Sequence, residues 1–237
     1  MSVHRRNLVA GIPALLAGCV APEPPQISQP SPPDPSTAAL PVPIEPVVEL
    51  PYRSIYAAIG SERHHVPAVD LRRIQPQFLR REVPYPRDDE AGTIVVDTGA
   101  RYAYLVLENG RAMRYGIAVG RQDAFNVQGE AIIERKAEWP NWRPTSAMVA
   151  RDPQRYGALR AGLPGGTRNP LGSRALYLYQ DGLDTYNRLH GTYEPWTIGT
   201  MASSGCVRMI NQDIIDLYQR VPVGTRVIVL PTGESVA

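Results

Sequence analysis

Asn109-Gly110 stands between two apolar runs, "RYAYLVL" at 101–107 and "RAMRYGIAVG" at 111–120. Both central positions of a tight hairpin turn need positive φ, and Asn-Gly supplies them, so this stretch commits the chain to antiparallel β-structure. "TIVVD" at 93–97 reads as a buried strand just before it, and Asp181-Gly182 marks a second hairpin. Further strands are expected at 131–137, 175–179, 185–190 and 226–230. One clear helix breaks the pattern. "NQDIIDLYQRV", 211–221, offers Asn211 as N-cap, Asp213 in the first turn, and Ile214, Leu217, Tyr218 and Val221 on one face. The expectation is a mainly β domain with one or two helices. The segment 139–170 reads as loop-rich, with Pro and Gly punctuation, and long loops in compact domains tend to be functional.

Upstream, the composition changes. Residues 20–51 hold eleven of the 24 prolines, four acids, no Lys, no Arg and no Gly. Such a stretch cannot bury a core and is expected to run as an extended, semi-rigid spacer. Residues 52–90 are mixed, with a short helix expected at 53–59 and then extended or turn segments that pack on the main domain. The tail is 232–237.

Residues 1–19 read as a targeting segment: His4, Arg5 and Arg6 precede a short apolar run, which ends in "LAGC" at 16–19. This resembles a bacterial lipobox, and "HRRNLV" resembles a weak twin-arginine export signal. Cys19 is the expected lipidation site, so the chain is expected in the cell envelope, periplasmic and anchored to a membrane. The alternative is an ordinary cleaved signal with an incidental Cys. The net charge of +2, with scattered arginines and Lys136 as the only lysine, gives no nucleic-acid signature.

The chain has two cysteines. If Cys19 carries the anchor or leaves with the signal, Cys206 is the sole thiol of the mature chain. A single thiol in an exported protein is either a reactive group, half of an intermolecular bridge, or an inert packed side chain. Its neighbours favour reactivity. His190 closes an expected strand and opens the loop "HGTYEPWTIGTMASSGC", which returns to Cys206. A strand-end imidazole and a thiol on a returning loop can meet as base and nucleophile, and Gly191 and Gly205 let the backbone approach them. His64 and His65 lie in a Pro-flanked segment and read as surface or packing residues.

The combined pattern resembles the L,D-transpeptidases, whose catalytic unit is the YkuD domain. The matching pieces are His190-Gly191-Thr192, Ile198-Gly199, Ser203-x-Gly205-Cys206-x-Arg208-Met209, "NPLG" at 169–172 and "VPVGTRVIV" at 221–229. Together they span roughly 91–231. Many members carry a second His where this chain has Ser204.

The resemblance implies a YkuD-like β-sandwich or barrel that acts on peptidoglycan stem peptides without cofactor or metal. Cys206 would be the nucleophile, His190 the base, and the Gly191 carbonyl the group that orients the imidazole. The backbone around Ser203, Ser204 and Gly205 would shape the loop and its oxyanion hole. The product would be a 3→3 cross-link formed through a Cys thioester, with carbapenem-class β-lactams as expected inhibitors. Arg208 would either bind a stem carboxylate or hold the loop by an ion pair. Tyr193 and Trp196, with Trp139 and Trp142, would either line the cleft or pack.

Three alternatives stay open: an L,D-carboxypeptidase, a hydrolase of the same fold that releases lipoproteins from peptidoglycan, and a non-catalytic peptidoglycan-binding lipoprotein. A sortase-like transpeptidase is disfavoured because Arg208 follows Cys206 by two residues instead of lying on a later strand.

Overall fold

Asn109 (φ 60) and Gly110 (φ 65) both adopt the left-handed conformation, as do Asp181 (φ 50) and Gly182 (φ 74), so both expected hairpin turns form. The computed structural model describes residues 49–120, 127–202, 205–231 and 233–236. The signal segment with Cys19, residues 20–48 of the proline-rich stretch, and Ser203 and Ser204 lie outside the described residues.

In chain order the described elements are α1 (Glu49–Ile55), β1 (Arg81–Pro84), β2 (Ile94–Asp97), β3 (Tyr102–Leu107), β4 (Arg111–Ala118), β5 (Gly129–Glu138), α2 (Ser146–Arg151), α3 (Pro153–Tyr156), β6 (Arg174–Gln180), β7 (Leu183–His190), β8 (Val207–Met209), α4 (Asn211–Arg220) and β9 (Arg226–Val229). The strand order β4-β3-β2-β9-β5-β6-β7-β8 returns to β4, which pairs with β8 through Ile117↔Met209 and Ala118↔Arg208. Eight strands therefore close into a barrel, which removes the open sheet edges. The first half of β4 pairs instead with β1. Most neighbours are antiparallel; β2–β9 and β7–β8 are parallel.

The period-two pattern builds the core. Ile94, Val96, Ala103, Leu105, Ile117, Leu176, Leu178, Leu189, Val207, Met209, Val227 and Val229 form one buried cluster, joined by Ile214 and Leu217 of α4 and by Val221 just after it. The alternate residues of β2 and β3 are buried too: Val95, Tyr104 and Val106 pack with Tyr85, Leu230 and Val236. Asp97 ties the last described residues to this face, since its Oδ2 accepts from the Ser235 hydroxyl at 2.7 Å and the Val236 amide at 3.0 Å.

The stretch before β1 lies against the barrel and α4. Phe78 sits on Gly116 and Gly199, where an added Cβ would come within 2.6 Å of its side chain. Tyr56 donates to Asp213 at 3.2 Å and Arg80 pairs with Asp216 at 2.9 Å. The Gln212 amide donates to the carbonyls of Ala57 and Pro67, each at 3.0 Å.

Two expectations shift. The first helix forms at Glu49–Ile55 and not at 53–59. Pro51 falls in its first turn, where no amide is needed, and beyond it Ile59 pairs with Val66 in an isolated bridge. The loop-rich segment 139–170 also holds two short helices not expected from the sequence. Thr145 caps α2 by accepting from Met148 N, and Asp152 caps α3 by accepting from Arg155 N, with Pro153 in the first turn.

Candidate active site

The parallel pairing of β7 with β8 brings the two ends of the motif together. Leu189 opposes Val207 and His190 opposes Arg208. Leu189, Val207 and Met209 point into the core. Alternation therefore turns His190 and Arg208 to the other side of the sheet, and carries Cys206, one residue before β8, to that same side.

His190 is 4% exposed. Its Nδ1 lies 2.6 Å from the Gly191 carbonyl oxygen. A carbonyl only accepts, so Nδ1 carries the proton and Nε2 keeps its lone pair. Burial drives the imidazole pKa down to about 3; the Gly191 carbonyl opposes the shift, and the Arg208 and Arg188 charges add to it. His190 is therefore neutral across the physiological range.

Cys206 is partly buried, and its Sγ stands 3.7 Å from the Tyr186 carbonyl. Burial pushes the thiol pKa up, while the charges of Arg188 and Arg208 and hydrogen bonds from Arg188 pull it back. On this sheet face the resting groups are a neutral thiol and a neutral imidazole.

The loop between them is held from several sides. Gly205 is buried with φ 134, a conformation that residues with a β-carbon rarely adopt. Arg208 forms an ion pair with Glu194 at 3.4 Å. Trp196 is 42% exposed, with the Arg73 guanidinium 4.2 Å from its ring centroid. Tyr193 is 38% exposed. With Trp139, Thr192, Pro195 and Val69 it lines a small cavity of about 70 Å³. Trp139 itself is buried and donates to Glu62 at 3.1 Å, so it packs; His64 lies edge-on to its ring at 4.9 Å.

Asn211 has a different role from the one expected. The N-cap of α4 is Ile210, which makes no side-chain cap. Asn211 reaches back instead: its Oδ1 accepts from Ser173 N at 3.0 Å and its Nδ2 donates to Thr192 O at 2.9 Å. The start of β6 and the turn after His190 are thereby clamped to one amide. Asn169, which is buried, pins the base of the 139–170 segment in the same way, donating to Pro164 O at 2.9 Å and accepting from Leu171 N at 2.9 Å.

Arg188 went unnoticed in the sequence, although it lies two residues before His190 and so on its face of the strand. The missing signal was β8. Without a strand at Val207–Met209, nothing brings Arg188 opposite Cys206.

The family model of the YkuD L,D-transpeptidase catalytic domain matches residues 91–229. A Bacillus subtilis protein named as a candidate L,D-transpeptidase is 29% identical over 163 residues, 68% of this chain and 82% of the relative. An Escherichia coli K12 protein named a probable L,D-transpeptidase, YbiS, is 42% identical over 95 residues, but those are 40% of this chain and 29% of the relative. A solved Brucella melitensis structure, described as a probable carnitine operon oxidoreductase, is 51% identical and covers 68% of this chain and 99% of its own, with a TM-score of 0.46. The family model spans more than half of the chain, including His190 at the end of β7 and Cys206 just before β8, and on that match the chain belongs to the L,D-transpeptidase catalytic-domain family.

Proposed function

We propose that the chain is a peptidoglycan L,D-transpeptidase that forms 3→3 cross-links through a thioester on Cys206. The observation that carries this reading is the β7–β8 register, with the His190 Nδ1 committed to the Gly191 carbonyl. That arrangement leaves Nε2 as the acceptor on the sheet face shared with Cys206.

In the first half-reaction the Cys206 sulfur attacks the carbonyl of the diamino acid in a tetrapeptide stem. The thiol proton passes to His190 Nε2, and the carbonyl oxygen becomes an oxyanion that faces the backbone amides around Gly205 and Cys206. Collapse breaks the amide bond to the terminal D-Ala. Its nitrogen takes the proton from His190, and a thioester remains. In the second half-reaction the side-chain amine of another stem attacks the thioester. His190 takes its proton and returns one to the departing sulfur, and the new amide is the cross-link. Water in place of the amine gives a tripeptide.

We place the enzyme in the periplasmic envelope, anchored through lipid on Cys19. Cys19→Ala is expected to move it from the membrane to the soluble fraction; unchanged membrane association with no lipid on Cys19 contradicts this.

The test of the reaction is incubation with purified stems, with products read by mass spectrometry. A cross-linked dimer supports the proposal. Tripeptide alone would reassign the chain as a carboxypeptidase. Unaltered stems, with the protein bound to peptidoglycan, would leave the binding role.

A further inference from the structure

β7 does not run straight to His190. Tyr177 of β6 opposes Arg188, while Tyr179 opposes Asp184, so residues 185–187 bulge against the single residue Leu178. Side chains hold the bulge: Thr185 Oγ1 donates to Leu178 O at 2.7 Å, and Asp184 Oδ1 accepts from Tyr186 N at 2.8 Å. At its centre Tyr186 has φ 59, a left-handed conformation that is uncommon away from glycine. Its side chain is 72% exposed, so ring packing does not explain the strain.

What the bulge delivers is a carbonyl. Tyr186 O accepts from Arg188 Nη1 at 2.6 Å and stands 3.7 Å from Cys206 Sγ. Strained backbone held in place by its surroundings often marks a site where geometry is being set for chemistry. Here the guanidinium and the thiol converge on one oxygen, and the β7–β8 register, continued by one step, sets Arg188 opposite Cys206.

We infer that Arg188 is a positioning residue for the Cys206 sulfur, held by the Tyr186 bulge so that the sulfur exchanges a hydrogen bond given to the Tyr186 carbonyl for hydrogen bonds received from Arg188 as its proton leaves. The inference rests on Cys206 being the nucleophile. A carbonyl can hold S–H but offers nothing to a thiolate. Once the proton sits on His190 Nε2, the sulfur is only an acceptor, and the Arg188 backbone amide and guanidinium are the donors directed at it. No bond to carbon changes in this step; one proton moves from sulfur to nitrogen.

The other charges around the sulfur are accounted for. Arg208 of β8 adds positive charge but is paired with Glu194. Asp184 of β7 faces Arg188 at 3.6 Å. The Tyr177 ring of β6 carries Arg188 on it at 4.6 Å and Arg135 of β5 at 3.5 Å. His190 is neutral at the pH values where Cys206 titrates.

The test is the pH dependence of Cys206 alkylation by iodoacetamide in the full chain. The rate is read on the Cys206 peptide by mass spectrometry for wild type, Arg188→Gln and Arg188→Lys. The midpoint is expected to rise by about one unit in Arg188→Gln and by less in Arg188→Lys, which keeps a charge without the planar fork. Arg188→Lys carries the same reading should Arg188→Gln not fold. Midpoints that coincide in wild type and folded variants overturn the inference and leave the nucleophile intact. A wild-type Cys206 that resists alkylation up to pH 11, while a free peptide thiol reacts, overturns both.

Discussion

The side-chain oxygen of Asn211 occupies the place of the β-carbon that Gly191 lacks: a Cβ there would lie 2.2 Å from Asn211 Oδ1. Gly172, with φ 62, makes the same allowance at 2.3 Å. Two glycines thus let one half-buried amide join the strand before the 181–182 turn to the strand after it, at the end where His190 sits. The carbonyl that fixes the imidazole belongs to one of those glycines.

Asn211→Ala removes both clamps and leaves the Ser173 amide and the Thr192 carbonyl unsatisfied. The expected loss is about 2–3 kcal/mol in urea unfolding. Acylation by a stem is expected to slow by more than stem binding weakens, because the His190 turn loses its anchor. Stability within about 0.5 kcal/mol of wild type would show that the clamp is dispensable.

His190 makes stability fall in acid. Its folded pKa of about 3 lies below the ordinary value of 6.5, so between these the unfolded chain binds the proton more readily. The stability that the neutral buried ring supports is present above pH 6.5 and is lost progressively as pH drops towards 3. His190→Gln is expected to flatten this part of the profile, measured as urea midpoints at pH 7 and pH 4.5. The same shift means that His190 contributes no acid limb to the rate near pH 6.5; such a limb, abolished in His190→Gln, would contradict the buried neutral ring.

Asp213 acts with the opposite sign. It is fully buried in α4, and burial raises its carboxyl from 3.8 to about 7, with the Arg80 charge and the Tyr56 hydroxyl opposing the rise. The folded state holds this proton more tightly, so the contribution is fully present below pH 3.8 and is lost as pH rises through 7. Asp213→Asn keeps an acceptor for Tyr56, and Arg80 keeps Asp216 at 2.9 Å. The variant is expected to gain on the order of 1 kcal/mol over wild type at pH 8 and little at pH 5.5. A loss at pH 8 would show that Asp213 is held there as a carboxylate by Arg80.

The strands bounded by Asn109-Gly110 and Asp181-Gly182 were legible because their information is local: alternating burial and a turn that needs positive φ. His190 and Cys206 could be named as candidates because few other residues of the chain suit a base and a nucleophile. What escaped depends on distant partners. β8 is three residues in a Gly/Ser-rich stretch and exists because β7 and β4 flank it. Asn211 carries the residue type of a cap and sits where a cap belongs, yet its amide is claimed by Ser173 and Thr192, 38 and 19 residues away. Thr145 and Asp152-Pro153 were readable cap signals, masked by the Pro and Gly around two short helices. Arg188 had no visible role until the bulge at Tyr186 and the β7–β8 register gave it one.

The most direct measurement is tandem mass spectrometry of the protein trapped during reaction with a tetrapeptide stem. The prediction is a tripeptide acyl group on the peptide that contains Cys206 in wild type, and none in Cys206→Ala. Turnover with no acyl-enzyme on that peptide, or acylation that persists in Cys206→Ala, would contradict it.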